Sequence, residues 1–313
     1  MRLAITSVLR FLPILLSVVL LYFVVPVREL FEALRSVSVR DVLLLASISA
    51  ALIAVSAVKW QAFLLNLGVR RRFIELFSLY LVGYFVNTFS PSFIGGDVVR
   101  SVMAGRKVDR ARALAGTFLE RYTGILSMLV MALCASFIGA TVANQVFNLI
   151  IFAALGFVCL TISIATGWHM VLVRRVPISK RILGSLEVFQ DGLALGLRNK
   201  SLFFNSMWLS LVFHFLTIVN TAVVSEAIGW SSYTWSGLAT VVPLILIVGA
   251  IPISPQGLGI QEGAFVYFLG QVGASPAEAL AVAMVLRAKS LVLAVLGWLV
   301  VLRRPPDYSA QDA

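Results

Sequence analysis

"SPSFIGGDVVRS", residues 90–101, interrupts an apolar run with a proline and two glycines and follows them at once with an acid and an arginine. A second stretch, "PISPQGLGIQEG" at 252–263, does the same further along the chain. Both carry the spacing Ser-Pro-x-x-x-Gly, from Ser90 and Pro91 to Gly95 and from Ser254 and Pro255 to Gly259. Proline removes a backbone donor and glycine favours non-helical backbone, so each stretch reads as a break between two short helical limbs.

The rest of the chain says what kind of solvent surrounds these breaks. Of 313 residues, 60% are hydrophobic and 12% charged. That charged share is about half of the ~25% usual in a soluble domain. Mean hydropathy is +0.99, which points to an integral membrane protein. A hydrocarbon core of about 30 Å needs roughly 20 mostly apolar residues per crossing. Six runs are long enough: 9–25, 42–58, 114–140, 144–168, 206–228 and 277–302. No polar stretch between them is large enough for a separate soluble domain. Run 9–25 lacks a small-residue cleavage site after it, so it reads as a helix rather than a signal peptide. Cys134 and Cys159 both fall inside spans and read as small apolar packing residues.

The formal charge of +11 would suit nucleic acid, but its distribution argues for membrane topology instead. With the N-terminus in the cytoplasm, Lys59 and Arg70–Arg72, Arg100–Arg112, Arg174–Lys200 and Arg303–Arg304 all fall in cytoplasmic segments. The opposite segments near 141, 229–236 and 270–276 hold no Lys or Arg. This is a positive-inside pattern, and it predicts a multi-pass protein of the cytoplasmic (inner) membrane with both termini cytoplasmic. The pattern holds only if 73–112 enters from the cytoplasm and returns to it, and if 237–274 does the same from outside.

The predicted fold is therefore all-α: a polytopic membrane bundle of about six full spans plus two oppositely oriented re-entrant hairpins. An Ala-rich helix start follows each break and carries an arginine inside the span, Arg121 and Arg287, 30 and 32 residues after Pro91 and Pro255. This predicts an inverted repeat within one membrane domain, 1–313, with a first copy at about 42–140 and a second at about 206–302. Paired interrupted segments in two inverted halves point to a transport site near the midplane. The connector, about 169–205, carries Ile182, Leu186, Phe189, Leu193 and Leu197 at three- and four-residue steps. It reads as an amphipathic cytoplasmic helix that either lies on lipid or docks against the bundle.

Charges at this depth cost at least about 2.5 kcal/mol each on insertion scales and are usually functional or paired. Arg121 and Arg287 are the leading candidates for holding an anionic group. The structural alternative pairs Arg121 with Asp97 and Arg287 with Glu262, fastening hairpins to spans. Gly95, Gly96 and Asp97 read as a loop opening a helix with Asp97 as N-cap, where backbone N–H groups and Arg100 suit a phosphate. An ordinary Asp97–Arg100 pair fits the same spacing. Gln256 and Glu262 at the second break offer an amide and a carboxylate for a sugar or amine. Glu120 lies about 100° around the helix from Arg121. Asn87 and His214 are candidates for lining a cavity or relaying protons, and both equally suit ordinary packing with hydrogen bonds. Trp60, Tyr84, Trp168 and Trp230 suit interfacial belts. There is no nucleotide-binding motif, metal-ligand spacing or catalytic triad, so no catalytic residue, cofactor or metal site is predicted.

At these motifs the chain resembles the lysylphosphatidylglycerol synthase transmembrane-region family, also called flippase-like or UPF0104 proteins. The residues that carry the resemblance are "FVNTFSPSFIGGDVVR", "LERYTGIL", "PISPQGLGIQEGAF" and "GASPAEALAVAMVLR". The resemblance implies Asp97, Arg100, Glu120, Arg121, Glu262 and Arg287 as a polar centre. It also implies a domain that moves charged lipid across the bilayer, here without the soluble synthase domain that transfers lysine. The expected function is a flippase or transporter for an anionic phospholipid or lipid-linked head group, with membrane lipid as its partner and no nucleic acid. Two alternatives are a polyprenyl-phosphate-dependent membrane glycosyltransferase and a non-catalytic partner subunit of a separate lipid-modifying enzyme.

Overall fold

A computed structural model of the chain describes residues 27–90, 94–105, 109–138, 144–167, 180–251 and 254–303. These are all-α, with no strand among them. A short helix α1 (Val27–Arg35) precedes α2 (Val39–Asn66), α3 (Phe73–Phe89), α4 (Ile94–Ala104) and α5 (Arg110–Ile138). Next come α6 (Asn144–Thr166) and α7 (Lys180–Arg198). The chain continues through α8 (Lys200–Ala227), α9 (Trp235–Gly249), a 3-10 turn (Pro255–Gly257), α10 (Ile260–Gly270) and α11 (Pro276–Arg303).

Helix ends follow local chemistry. The Ser275 hydroxyl accepts from Glu278 N at 3.3 Å, and the Glu278 carboxylate accepts from Ser275 N at 2.7 Å. This is the capping box that Ser275-Pro276-x-Glu278 dictates at the start of α11. Ser38 and Asp41 form the same device before α2. Four helices, α2, α5, α8 and α11, are long and apolar enough to cross a membrane. The expected six also counted 9–25, which lies outside the described residues, and 144–168, which forms the 23-residue helix α6.

The same succession of lengths occurs twice. Helices α2 to α5 contain 28, 17, 11 and 29 residues, and α8 to α11 contain 28, 15, 11 and 28. Contacts between the two sets follow the same correspondence: α11 packs along α3, α5 packs along α9, and α2 packs along α8. Both expected breaks are present, between α3 and α4 and between α9 and α10.

The two sets approach closely between α11 and α3. A Cβ added to Gly297 would run into the carbonyl of Leu81 and lie 3.1 Å from Phe85 Cβ. Without a hydrophobic force between helices in lipid, such backbone proximity is what gains dispersion contact.

The connector helix docks on the bundle, which decides between its two expected readings. Leu193 is buried, and the Phe189 ring lies 5.9 Å from that of Phe118 on α5. Gly192 and Gly196, four apart, let the backbone of α7 approach Ala115 and Leu119. Two other expectations are corrected. Cys134 and Cys159 are both exposed rather than packed inside, because an apolar residue in a span can face lipid as readily as core. Trp60 and Trp230, expected in interfacial belts, are 0% and 2% exposed. Trp168 lies outside the described residues.

Gly297→Ala should push α11 from α3 and lower stability by about 1–3 kcal/mol, as overpacking typically does. Gly156→Ala in α6, where a Cβ meets open space, should be neutral or stabilising by up to about 1 kcal/mol. Thermal unfolding of the purified variants in detergent checks the contrast.

Candidate functional site

The two breaks meet each other. The backbone N–H of Gln256 donates to the carbonyl of Ser90 at 3.1 Å, joining the turn after α9 to the end of α3. Gln256 is buried and takes φ +49, and Gly257 at +67 and Gly259 at +83 follow it. Left-handed backbone at a non-glycine residue costs about 1–3 kcal/mol and persists where surroundings over-determine it. At the first break, Asn87 Oδ1 accepts from Gly96 N at 2.8 Å. A Cβ on Gly96 would strike the carbonyl of Gly83 and one on Gly95 would strike Ser90 Oγ, so both glycines are demanded by the close turn.

Helix α4 begins at Ile94, so Asp97 sits in its first turn rather than at the expected N-cap. Its carboxylate is free to bind arginines. Asp97 Oδ1 accepts from Arg100 Nε at 3.0 Å. Arg121 donates to the same carboxylate twice, Nε to Oδ2 at 2.7 Å and Nη2 to Oδ1 at 2.9 Å. Such two-point geometry is the strong form of an ion pair.

Behind this pair lies a second acid. Glu120 Oε2 accepts from Arg100 Nη2 at 2.6 Å, and its Oε1 faces Lys59 Nζ at 3.5 Å. Lys59 also donates to Ser210 Oγ of α8 at 2.9 Å. The Arg100 guanidinium carbon lies 4.3 Å from the Trp60 ring centre and 4.2 Å from that of Tyr80. These aromatic faces attract a desolvated cation. Arg100 is only 1% exposed and its Nη1 has no acceptor among the described residues.

The cluster thus sets three cations, Lys59, Arg100 and Arg121, against two carboxylates, Asp97 and Glu120. The cations also differ in reach. Side-chain exposure is 5% for Lys59 and 1% for Arg100, against 49% for Arg121. Arg100 and Glu120 are enclosed, whereas Arg121 presents an open face beside its pair.

The second half has a simpler counterpart. Arg287 Nε pairs with Glu262 Oε1 in a close contact, and Glu262 Oε2 accepts from Gly259 N at 2.6 Å. Glu262 therefore caps the start of α10 and binds the arginine at once. Arg121 and Arg287 occupy matched positions, eleven residues beyond the first residue of α5 and α11 (110 to 121 and 276 to 287). The two groups share no residue among the ion pairs and hydrogen bonds of the described residues.

The remaining expected residues make contacts within the bundle. His214 Nε2 lies 2.9 Å from the Gly124 carbonyl, and its ring sits edge-on to Phe213. Asn87 holds the first break, and Gln256 reaches Ser90 through its backbone. Lys59, Trp60 and Tyr80 were missed as partners of Arg100. Lys59 was counted as a cytoplasmic loop cation; the structure places it inside α2, buried. The apolar run "QAFLLNL" that continues to residue 67 carries the signal that the span extends past it.

Residues 10–297 match the family described as "Lysylphosphatidylglycerol synthase TM region". The chain is also similar to a "UPF0104 membrane protein" of Methanothermobacter thermautotrophicus, 24% identical over 287 residues, covering 83% of each chain.

Removing one partner of a buried ion pair leaves an uncompensated charge and costs about 3–5 kcal/mol. Glu120→Gln should therefore destabilise far more than Arg121→Gln, whose side chain is half exposed. Comparative unfolding of the two variants in detergent reads the difference.

Proposed function

This chain belongs to the lysylphosphatidylglycerol synthase TM region family, and we propose that it moves an anionic phospholipid or lipid-linked head group between membrane leaflets. The two breaks are the tips of re-entrant hairpins that enter from opposite sides, and the two helix series of 39–138 and 200–303 are inverted copies. The arrangement of interrupted helices in two inverted halves is the one that secondary transporters use around a midplane site. Alternating exposure follows from rocking of one half against the other.

The single observation that supports this reading best is Arg121. It lies within a helix long and apolar enough to span a membrane, is bidentate on Asp97, and still leaves half of its side chain open. A purely structural arginine in lipid would be enclosed as Arg100 is. An open guanidinium is suited to the phosphate of a lipid, with the Gly95–Asp97 turn beside it. Glu262, already bonded to Arg287, is suited to an amine or hydroxyl of the head group. Asp97 then holds Arg121 in position and gives way in part as the phosphate arrives.

Reconstituted vesicles with a fluorescent anionic lipid and an external quencher test this. Arg121→Ala should slow lipid movement about tenfold or more, the loss expected for a charge-assisted contact worth roughly 1.5–3 kcal/mol. Arg121→Lys should retain part of the rate. Unchanged movement in folded Arg121→Ala protein rejects the reading.

A further inference from the structure

Two lysines within long helices, Lys59 buried and Lys289 partly so, reach α8. Lys59 of α2 donates to Ser210 Oγ and also faces Glu120. Lys289 of α11 donates to Asn220 Oδ1 at 3.1 Å, and no carboxylate lies within ion-pair distance of it among the described residues. The two bridges occupy related places. Lys59 and Asn220 each lie twenty residues beyond the first residue of α2 and α8 (39 to 59 and 200 to 220). Both bridges join the first long helix of a half to its last. In the first half the bridge is lysine to carboxylate, and in the second it is amide to lysine.

That exchange leaves the second bridge short of one negative charge. The amide oxygen of Asn220 accepts a hydrogen bond but does not neutralise an ammonium, and an unneutralised cation in a span is costly. Glu262 gives no relief, since Arg287 already engages its carboxylate. Asn220 is buried, whereas Lys289 is only partly so, so part of the lysine side chain lies open to its surroundings. The Nδ2 of Asn220 supplies a further donor to the same place.

We propose that Lys289 and Asn220 form an anion station in the second half, taking a singly charged phosphate-type oxyanion, with Lys289 as the counter-charge and Asn220 as its positioning partner. The charge deficit stands on the ion-pair geometry alone. Assigning the anion to a lipid phosphodiester rests on the lipid-moving reading above. The cargo then meets two cationic stations, Arg121 in one half and Lys289 in the other, each unable to complete its charge balance without it.

Native mass spectrometry of the full chain, released from nanodiscs of phosphatidylcholine doped with phosphatidylglycerol, counts the acidic lipids retained. The wild type should keep two, and Lys289→Gln and Arg121→Gln one each. Asn220→Asp should also keep one, because the new carboxylate pairs with Lys289 internally, and its melting temperature should not fall. That variant keeps the test valid if Lys289→Gln folds poorly. A parallel arm gives delipidated protein inorganic phosphate alone. Phosphate retained by the wild type and lost in Lys289→Gln assigns the station to a free anion of the same chemistry. Two lipids retained in both Lys289→Gln and Asn220→Asp, with phosphate retention unchanged, overturns the station and leaves the Arg121 reading intact. Loss in Lys289→Gln with none in Arg121→Gln does the reverse.

Discussion

The requirement that charges inside an apolar solvent be matched at close range organises this molecule. Asp97 holds two arginines, Glu120 holds an arginine and a lysine, and Glu262 holds an arginine while capping its own helix. Each acid that binds a cation of a long helix sits on, or is reached from, a short helix that begins at a break. The breaks are therefore what bring acids to the arginines of α5 and α11. A continuous helix through residues 90–101 would carry Asp97 on a fixed spiral with no reason to meet Arg121.

The same constraint applies to the main chain. Lipid-exposed irregular backbone is not tolerated at membrane depth, and non-helical segments persist only where protein or water covers them. Here the two breaks are joined by the bond from Gln256 to Ser90. Asn87 and the Glu262 carboxylate satisfy further backbone donors at the two helix starts. The packing of α11 on α3 and of α5 on α9 extends the contact between the two helix sets.

Much of this was legible in the residues. Helix type, both breaks and the capping box at Ser275 follow from spacing, proline and glycine, and the cost of a lone charge offered the pairings of Arg121 with Asp97 and Arg287 with Glu262 as one of two readings. What was not legible has a common cause. Periodicity places residues along one helix but does not say which helices become neighbours. Lys59, Trp60 and Tyr80 gather around Arg100 because α2, α3 and α4 converge, and no local pattern encodes that convergence. Trp60 and Trp230 were assigned to interfaces because their type favours interfaces on average, whereas Trp60 is held by a cation. Asp97 is not a cap because α4 starts at Ile94, four residues earlier than an N-cap at 97 requires.

The bond between Ser90 and Gln256 uses main-chain atoms at both ends. A fastening of this kind is indifferent to most amino-acid replacements, since every residue but proline supplies the same donor and every residue the same acceptor. What evolution must preserve at 256 is therefore a dihedral angle and not a functional group. The side chains at 90 and 256 can change while this main-chain link stays in place, whereas the close-set glycines beside it cannot.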